Sequence, residues 1–347
     1  MWIARRLWVL AAVMPTGATS VVIQTPNATI ERTQVAQDIY HFRTAFDGYT
    51  RSSSVVVINE RDVLVFDAHT RPSTARAVIQ EIRTLTDKPV RWLVNSHWHP
   101  DHWSGNEVYA EAFPGLQIIA TEETAQYMRS VAPSWVHTFA GTAARSRAAL
   151  DSLRRSGMAA DSLHARERTT QTTLDMIEEI TRVRRTYPTL TYRDRLTLWS
   201  GAREFRLMSM TGDATGTTVL HLPGEGVLLM GDLLVHPTQW GANGYALSPW
   251  LASLRSLEAL EVSAIVPGHG PVLRDKAYLR LVIELFETVT RQVHAALARG
   301  LVTPEEVEAA TKLDDLRARF RAQGAAFSAA LVPMAYREAR DGMQSRR

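Results

Sequence analysis

The 347-residue chain contains no cysteine. This absence excludes disulfide bonds, thiolate metal ligands and cysteine nucleophiles. A large excess of one charge is also lacking, because the formal net charge is only +3. No basic block or aromatic-interleaved basic patch stands out, so nucleic-acid binding is not indicated. With 45% hydrophobic and 22% charged residues, the composition is typical of a globular protein with a full core, in one large domain or two.

The N-terminus has the layout of an export signal. Arg5 and Arg6 precede a short apolar run, Leu7 to Met14, and small residues follow it. The run is too short to cross a bilayer as a permanent anchor. We therefore expect residues 1–20 to be a signal peptide, and the mature chain to begin near Val21 without a stable membrane span. The protein would then be exported, periplasmic or secreted. The alternative is a hydrophobic N-terminal strand or helix.

Strand-like and helical patterns alternate along the rest of the chain. Short strands are predicted at 39–43, 54–58, 63–66, 90–94, 116–120, 190–192, 196–199, 205–208, 217–222, 227–230 and 264–266. Helices are predicted at 73–85, from about 106, at 249–260, at 276–299, and from a capping-type start at 303–306. Strand signals are absent between 121 and 187, which predicts a helical insertion over one side of the main fold. The pattern as a whole predicts a two-sheet core with helices outside.

Three imidazoles and a carboxylate lie within six residues after the predicted strand at 90–94. They are His97, His99, Asp101 and His102. A loop at a strand end can aim such groups at one point, as a metal site requires. The alternative is a His-rich surface turn. Because His-x-His-x-Asp-His directly after a strand is far rarer by chance, we interpret this motif as a metal site.

Other predicted strands also end in ligand-type residues. Asp67 and Asp232 each follow a strand, and His269 lies in a glycine-rich turn after another. Taken singly, each could be a turn or loop residue, and Asp67 could cap the next helix. The motif, Asp232 and His269 together supply six or seven ligands, too many for one tetrahedral ion and about right for two. Imidazole and carboxylate ligands suit zinc, and also iron or manganese.

The sequence resembles the metallo-β-lactamase superfamily. The resemblance depends on the strand ending at Asp67 and on three motifs: His97-Trp98-His99-Pro100-Asp101-His102, Gly231-Asp232 and Gly268-His269-Gly270. It implies an α+β fold, a four-layer αββα sandwich with the metal site at one edge of the sheets. It also implies a metallo-β-lactamase-like domain over 21–275, with the 121–187 insertion, and a C-terminal helical extension over 276–347.

The resemblance implies a role for each ligand-type residue. His97 and His99 would belong to the first metal site, Asp101, His102 and His269 to the second, and Asp232 would bridge the two. Asp67 would be the acid that orients a ligand histidine. The family usually has a third first-site histidine in a Gly-His-Thr-x-Gly turn, and here Asp213 occupies that position. Asp213 would ligate through oxygen and bias the site toward harder ions such as iron or manganese. The alternative is that Asp213 is only a turn residue and the first site is weak or empty.

The implied function is a two-metal hydrolase acting on a small molecule. A hydroxide held between two divalent ions, most simply zinc, would attack the carbonyl carbon of an ester, lactone, thioester or amide, β-lactams included. Asp101 would orient that hydroxide. The alternatives are a phosphodiesterase of the same fold, and a non-catalytic exported metal-binding protein with a degenerate site. The bridging Asp232 resembles that of the lactonase and glyoxalase II branches.

Residues outside the ligand set are assigned to substrate and partner contacts. Trp135, in the helical insertion, could line a pocket or pack on the scaffold. Trp240 and Tyr245 lie in a loop after Asp232, which would place them near the metals unless the loop is purely structural. The C-terminal helices could form a homodimer interface or pack on the sheet.

Overall fold

The structure is a computed structural model that describes residues 20–25, 28–45, 50–239 and 246–344. The predicted signal peptide lies outside the described residues, apart from Ser20. Eight strands form the first sheet and neighbour one another in sequence order. They are β1 (Ser20–Thr25), β2 (Ala28–Ala36), β3 (Ile39–Thr44), β4 (Ser53–Ile58), β5 (Val63–Phe66), β6 (Val90–Val94), β7 (Gln117–Thr121) and β8 (Leu190–Tyr192).

The remaining strands form a second sheet and a small ribbon. They are β9 (Arg195–Ser200), β10 (Arg203–Met210), β11 (Thr217–Leu222), β12 (Val227–Leu229), β13 (Thr238–Gln239), β14 (Ala264–Val266) and β15 (Ala326–Phe327). The second sheet has the strand order β14-β12-β11-β10-β9, and β13 pairs with β15. Most neighbours are antiparallel, but β5 to β8 run parallel, as do the pairs β12–β14 and β13–β15.

Helices cover the outer faces of both sheets. They are α1 (Pro72–Leu85), α2 (Pro100–Trp103), α3 (Asn106–Ala112), α4 (Glu122–Arg155), α5 (Ala160–Arg182), α6 (Leu247–Glu258), α7 (Ala277–Ala298), α8 (Pro304–Ala310), α9 (Asp314–Ala322) and α10 (Leu331–Gln344). A 3₁₀ turn spans Gly231–Leu233. None of the helices that the structure describes is long and apolar enough to cross a membrane.

The hydrophobic core has an inner layer between the two sheets and an outer layer between each sheet and its helices. The side chains of β5 contribute to two of these layers. Successive side chains of a strand point to opposite faces. Leu64 and Phe66 pack between the sheets in a cluster with Phe205 of β10, whereas Val63 and Val65 pack against α1. All four β5 side chains are buried, and each such burial stabilises the fold by roughly 1.5–3 kcal/mol.

The outer face of the second sheet packs on the C-terminal half of the chain. Leu228 of β12 shares a cluster with Trp250 of α6 and Phe286 of α7. The C-terminal helices therefore pack on the sheet, as one of the two sequence-based alternatives proposed. Helix, sheet, sheet and helix follow one another, so the αββα sandwich is confirmed. The predicted homodimer and the predicted division into domains stay predictions.

Most predicted elements are present, with shifts of one or two residues at their ends. The capping-type start at Thr303 is a complete capping box with Glu306. The first predicted strand, at 39–43, is not the first strand of the sheet. Strands β1 and β2 precede it, and β2 carries mostly polar, partly exposed side chains. Pairing with β3, and not an apolar pattern, keeps β2 in the sheet.

The predicted insertion consists of the helical hairpin α4–α5, followed by an extended segment from Val183. Glu179 of α5 fastens the hairpin to α1. Its carboxylate accepts hydrogen bonds from Arg71 Nε and from the Ser73 backbone N–H and hydroxyl, each at 2.9 Å. A carboxylate at the start of α1 also interacts favourably with the helix dipole.

Candidate metal centre

Several loops carry ligand-type side chains to one edge of the sandwich. Because β5 and β6 are parallel neighbours, Asp67 lies beside the loop 95–102 that follows β6. Because β12 and β14 are parallel neighbours, Asp232 lies beside His269. Strand β11 runs antiparallel to β12, so the turn before β11, with Asp213, reaches the same edge. Strand direction therefore collects residues that are far apart in sequence.

The ligand-type atoms form two groups, and within each group they lie within 4.8 Å of one another. One group contains His97, His99, Asp213 and Asp232, and the other contains Asp101, His102 and His269. The structure thus brings together all seven residues that the sequence suggested as ligands. Whether each one ligates stays a prediction.

Asp232 lies between the two groups. Its Oδ2 is 3.9 Å from His97 Nε2 and 3.3 Å from His269 Nε2. Its Oδ1 is 3.5 Å from His102 Nε2. The second group is closed by Asp101, whose Oδ2 lies 3.2 Å from His269 Nε2 and 3.5 Å from His102 Nε2. One carboxylate is therefore within reach of both groups.

Asp67 organises the His-rich loop from behind. Its carboxylate accepts hydrogen bonds from the Ser96 backbone N–H at 2.6 Å, the Ser96 hydroxyl at 2.7 Å and His102 Nδ1 at 2.8 Å. The backbone of Asp67 is in the left-handed region, with φ 63°. Such a conformation is costly for a residue other than glycine and persists where the surroundings hold it. Here the three hydrogen bonds hold it.

The hydrogen bonds also determine which ring nitrogen faces the cluster. A carboxylate can only accept, so His102 Nδ1 is protonated, and Nε2 is the nitrogen that faces the cluster and would ligate a metal ion. His269 Nδ1 likewise donates to the carbonyl of Arg51 at 3.1 Å. The Ser96 hydroxyl donates to Asp67, so it accepts from His97 Nδ1 at 2.9 Å. His97 Nε2 then lies 2.9 Å from His99 Nδ1, with both atoms in the first group.

Asp213 is held on a tight turn against helix α4. The carbonyl of Gly216 accepts hydrogen bonds from the hydroxyls of Thr121 at 2.6 Å and Thr124 at 2.9 Å. The Asp213 side chain is only 4% exposed, and its Oδ2 lies 3.5 Å from His99 Nδ1. Its Oδ1 is buried without a hydrogen-bonding partner among the residues that the structure describes. A buried carboxylate oxygen without a partner is costly, and a cation is the partner that would remove this cost.

The charges of the cluster are strongly coupled. Burial raises the pKa of Asp213 well above its usual range, and the Asp232 carboxylate raises it further. Although burial acts in the opposite direction, His269 and His102 hold the pKa of Asp232 well below its usual range. Burial would also lower the pKa of His269, but Asp232 and Asp101 raise it to about 10. Divalent cations would compensate these carboxylates, and the rings would then be neutral ligands.

Gly268 leaves the space that Asp232 needs. A Cβ at this position would lie 1.9 Å from Asp232 Oδ1 and 2.7 Å from the Gly231 carbonyl carbon. Only glycine can occupy that position without moving the carboxylate. The donor set of imidazole nitrogens and carboxylate oxygens, with its partnerless buried oxygen, therefore fits divalent metal ions.

Comparison with known proteins identifies the family. A model of the metallo-beta-lactamase superfamily matches residues 47–269, more than half of the chain. The chain belongs to the metallo-beta-lactamase superfamily. Proteins of this superfamily that resemble the chain are hydrolases, and the metal-binding groups described above agree with metal-dependent hydrolysis.

Individual relatives are distant. The linear primary-alkylsulfatase of Pseudomonas sp. (strain ATCC 19151) is 24% identical over 262 residues, covering 72% of this chain and 48% of the relative. The chain thus spans about half the length of that curated relative. Two solved structures share the fold. The metallo-beta-lactamase from Pontibacter korlensis has a TM-score of 0.54 and 16% identity over 74% of this chain and 99% of that chain. The inverting sec-alkylsulfatase Pisa1 from Pseudomonas sp. has a TM-score of 0.55 and 17% identity over 80% of this chain and 44% of that chain.

The cluster of this superfamily member is reached from the side of His99. The His99 side chain is 26% exposed, whereas those of the other six ligand-type residues are at most 5% exposed. The Trp98 ring packs against the His99 ring, with centroids 4.4 Å apart. The Trp98 ring also stacks on Tyr127 of α4, with centroids 5.6 Å apart and an interplanar angle of 23°. The helical hairpin therefore contributes an aromatic side chain close to the exposed ligand.

The predicted pocket residues stay predictions. Trp240 and Tyr245 lie outside the described residues, and the side chain of Trp135 does too, although its backbone is part of α4. Sequence reasoning did not find Ser96 or Tyr127. Ser96 carried one signal, its position between the β6 strand and the motif. Tyr127 carried none, because only the folded hairpin brings it to Trp98.

Proposed function

We propose that this protein is a metal-dependent hydrolase with two ion sites that share one carboxylate. The first site has His97, His99 and Asp213, the second has Asp101, His102 and His269, and Asp232 lies between them. The position of Asp232 carries the proposal, because its two oxygens lie 3.3–3.9 Å from histidines of both groups. A non-catalytic metal-binding protein would not need an opening beside one ligand, and this cluster has one at His99.

Bound divalent ions would supply Lewis acidity and a water nucleophile that ionises at a lower pH than free water. The residues of the chain supply positioning. Asp67 keeps the Nδ1 proton on His102, and Asp101 presents carboxylate oxygens to the second group, where they can accept a hydrogen bond from the attacking water and orient it. The burial of six of the seven ligand-type side chains excludes bulk water, which strengthens each charge interaction in the site.

Asp213 is the feature that sets the choice of metal. A carboxylate in the place of a neutral imidazole removes one unit of positive charge from the first site. We propose that this makes the site less selective for zinc and more favourable to iron or manganese. It would also acidify a bound water less than a three-histidine site does, so the activity would rise at higher pH.

The proposed substrate is an ester with an apolar group next to the reacting bond. Trp98 and Tyr127 are only half-buried beside the exposed ligand, and aromatic rings can bury large areas against a bound apolar chain. Alkyl sulfates are the first class to test, because an alkylsulfatase aligns with 72% of this chain. Carboxylic esters, thioesters, lactones and β-lactams are the second class, since a metallo-beta-lactamase shares the fold.

Metal content and chelator-sensitive turnover test the proposal. The purified full-length chain should contain close to two equivalents of zinc, iron or manganese by elemental analysis. It should hydrolyse at least one substrate of a panel of alkyl sulfates, p-nitrophenyl esters, lactones, nitrocefin and bis-p-nitrophenyl phosphate, and a chelator should abolish that turnover. Substoichiometric metal together with no chelator-sensitive turnover on the panel would refute the hydrolase assignment. Turnover of the phosphodiester alone would favour a phosphodiesterase of the same fold.

Substitution of Asp213 tests the ligand set. Asp213→Ala should lower the occupancy of one site, and Asp213→His should be tolerated or tighten zinc. Asp194→Ala, which removes an exposed carboxylate, is the matched control. If neither change at Asp213 alters the metal content, Asp213 is not a ligand. Export is a separate proposal, and N-terminal sequencing of the protein from its native cell would show whether cleavage occurs near Val21.

A further inference from the structure

His69 is a buried histidine next to the candidate metal centre that does not belong to the ligand set. It follows Asp67 by two residues and is fully buried. Its backbone is in the left-handed region, with φ 64°, a conformation that favours glycine. A side chain that remains at such a position is held there by its own contacts.

The contacts of the ring are two serine hydroxyls at the start of β4. His69 Nδ1 lies 3.1 Å from Ser52 Oγ, and Nε2 lies 2.8 Å from Ser54 Oγ. Both serines are buried. A neutral imidazole has one N–H and one lone pair, so it donates to one hydroxyl and accepts from the other. The His69 ring therefore holds the segment 52–54 through two hydrogen bonds.

The segment held by His69 orients a ligand histidine. The carbonyl of Arg51, directly before Ser52, accepts the hydrogen bond from His269 Nδ1 at 3.1 Å. Ser52 and His269 also pair as an isolated antiparallel bridge. A ligand histidine is commonly oriented by the acceptor at its other ring nitrogen. For His269 that acceptor is a backbone carbonyl, so its position depends on the segment that His69 holds.

His69 is tied to the His-rich loop as well. Its carbonyl accepts from the Gly105 N–H at 3.3 Å, and the preceding Ala68 N–H donates to the His102 carbonyl at 2.9 Å. The backbone of segment 67–69 thus contacts the loop of His102. The His69 ring contacts the segment 51–54, whose Arg51 carbonyl binds His269. The segment 67–69 connects two ligands of the same group.

We propose that His69 is a positioning residue for the second ion site: by holding Ser52 and Ser54 it fixes the carbonyl that orients the His269 ring. The proposal rests on the proposed function, since it needs an ion at Asp101, His102 and His269. The His269 backbone is also held from the other side, where the His236 N–H donates to the His269 carbonyl at 3.0 Å. Loss of the His69 ring would therefore turn the His269 ring without releasing its loop.

Zinc titration of His69→Gly tests this role, with a competing chromophoric chelator to resolve the two binding constants. Glycine accepts φ 64° without strain, so the variant removes the ring and leaves the backbone conformation allowed. We expect the affinity for one zinc ion to be unchanged and that for the other to fall by about tenfold or more, as when an outer partner of a ligand is lost. Asp38→Gly is the matched control, because Asp38 also has a left-handed backbone (φ 60°) but lies in the β2–β3 turn.

Two serine variants keep the proposal testable if His69→Gly does not fold. Ser52→Ala and Ser54→Ala retain the imidazole and should lower the affinity for the same zinc ion that His69→Gly affects. Adding Ser52→Ala to His69→Gly should cause little further loss, since the two changes break one interaction. Equal weakening of both ions, or lower thermal stability with both zinc affinities unchanged, would show a merely structural role and overturn the proposal. Failure of the wild type to bind two divalent ions, with zinc, iron(II) and manganese(II) each tested, would instead refute the proposed function, and this inference with it.

Discussion

Asp67 offers the most informative single substitution, Asp67→Asn. The carboxylate accepts three hydrogen bonds, at 2.6, 2.7 and 2.8 Å, from Ser96 and His102. An asparagine has nearly the same shape but presents one oxygen and one NH₂ group. If the asparagine oxygen keeps the hydrogen bond from the Ser96 N–H, its NH₂ group faces the Ser96 hydroxyl and His102 Nδ1. Both of these groups donate to Asp67 in the wild type, so donor would face donor in the variant.

The conflict is relieved if His102 moves its proton to Nε2. Nδ1 then accepts from the asparagine, but the N–H at Nε2 points toward Asp101 and Asp232, where an ion would lie. The ring cannot ligate in that state. Loss of an outer partner of this kind costs about 10- to 100-fold in metal affinity, which corresponds to about 1.4–2.8 kcal/mol. If the tautomer does not change, the two lost charged hydrogen bonds cost about 1.5–3 kcal/mol each.

Zinc affinity of the wild type and of Asp67→Asn, measured by chelator competition, checks this reasoning. The affinity for the zinc ion at His102 should fall by at least about tenfold, with a corresponding loss of hydrolysis. Asp38→Asn makes the same chemical change at another left-handed residue, outside the cluster, and should leave both zinc affinities unchanged. Unchanged zinc affinity in Asp67→Asn would refute the argument that this carboxylate determines the tautomer of His102.

Three further outcomes follow from the structure. Gly268→Ala should displace Asp232, because the new Cβ would lie 1.9 Å from its Oδ1; we expect a cost of about 1–3 kcal/mol and weaker binding of both ions, read by zinc titration. A chelator should lower the melting temperature by about 4 °C or more, since an ion at a hundredfold excess over its Kd contributes about 2.7 kcal/mol and unfolding entropy is about 2.1 cal/mol/K per residue. His41→Leu should flatten the acid side of the stability profile, measured by urea unfolding between pH 4 and pH 7. Burial, with Arg43 adding to it, lowers the pKa of His41 from 6.5 to about 3. Its neutral form is therefore favoured by folding, and the wild type loses up to about 1.4 kcal/mol per pH unit as the pH falls from 6.5 toward 3.

Each of these outcomes has its own control. Gly224→Ala adds a Cβ that meets nothing within 4 Å and should leave zinc binding unchanged. If Gly268→Ala behaves like Gly224→Ala, the cluster tolerates a displaced Asp232. A melting temperature unaffected by chelator would show that the ions contribute nothing to the folded state. An exposed histidine, changed in His294→Gln, is the control for His41, and equal acid slopes in His41→Leu and wild type would contradict the burial argument.

The sequence predicted which residues the structure brings together, because the information for it is local. The spacing of His97, His99, Asp101 and His102 lies within one loop, and Asp232 and His269 each directly follow an apolar strand. The exchange of histidine for Asp213 was likewise visible by counting from the neighbouring strand. Strand ends meet at an edge of a sheet, so a list of polar residues at strand ends is already a list of neighbours.

The surroundings of the site could not be predicted in the same way. The first two strands were missed because β2 is largely polar and is held by pairing with β3. Ser96 and His69 looked like ordinary loop residues, and their importance depends on the hydrogen bonds that they make. Tyr127 is unremarkable in sequence, since its position depends on how the hairpin α4–α5 docks, through Glu179, on α1.

The sequence by itself determined the chemistry at this protein's candidate site: nitrogen and oxygen ligands without sulfur, enough of them for two ions, and a carboxylate in the usual place of a histidine. Only the tertiary structure decided the geometry. It set Asp232 between two groups, chose the ring nitrogen that each buried histidine presents, and left His99 as the exposed side of the cluster. The physical reason is that ligand identity belongs to single residues, whereas tautomer, burial and access depend on contacts between segments far apart in the chain.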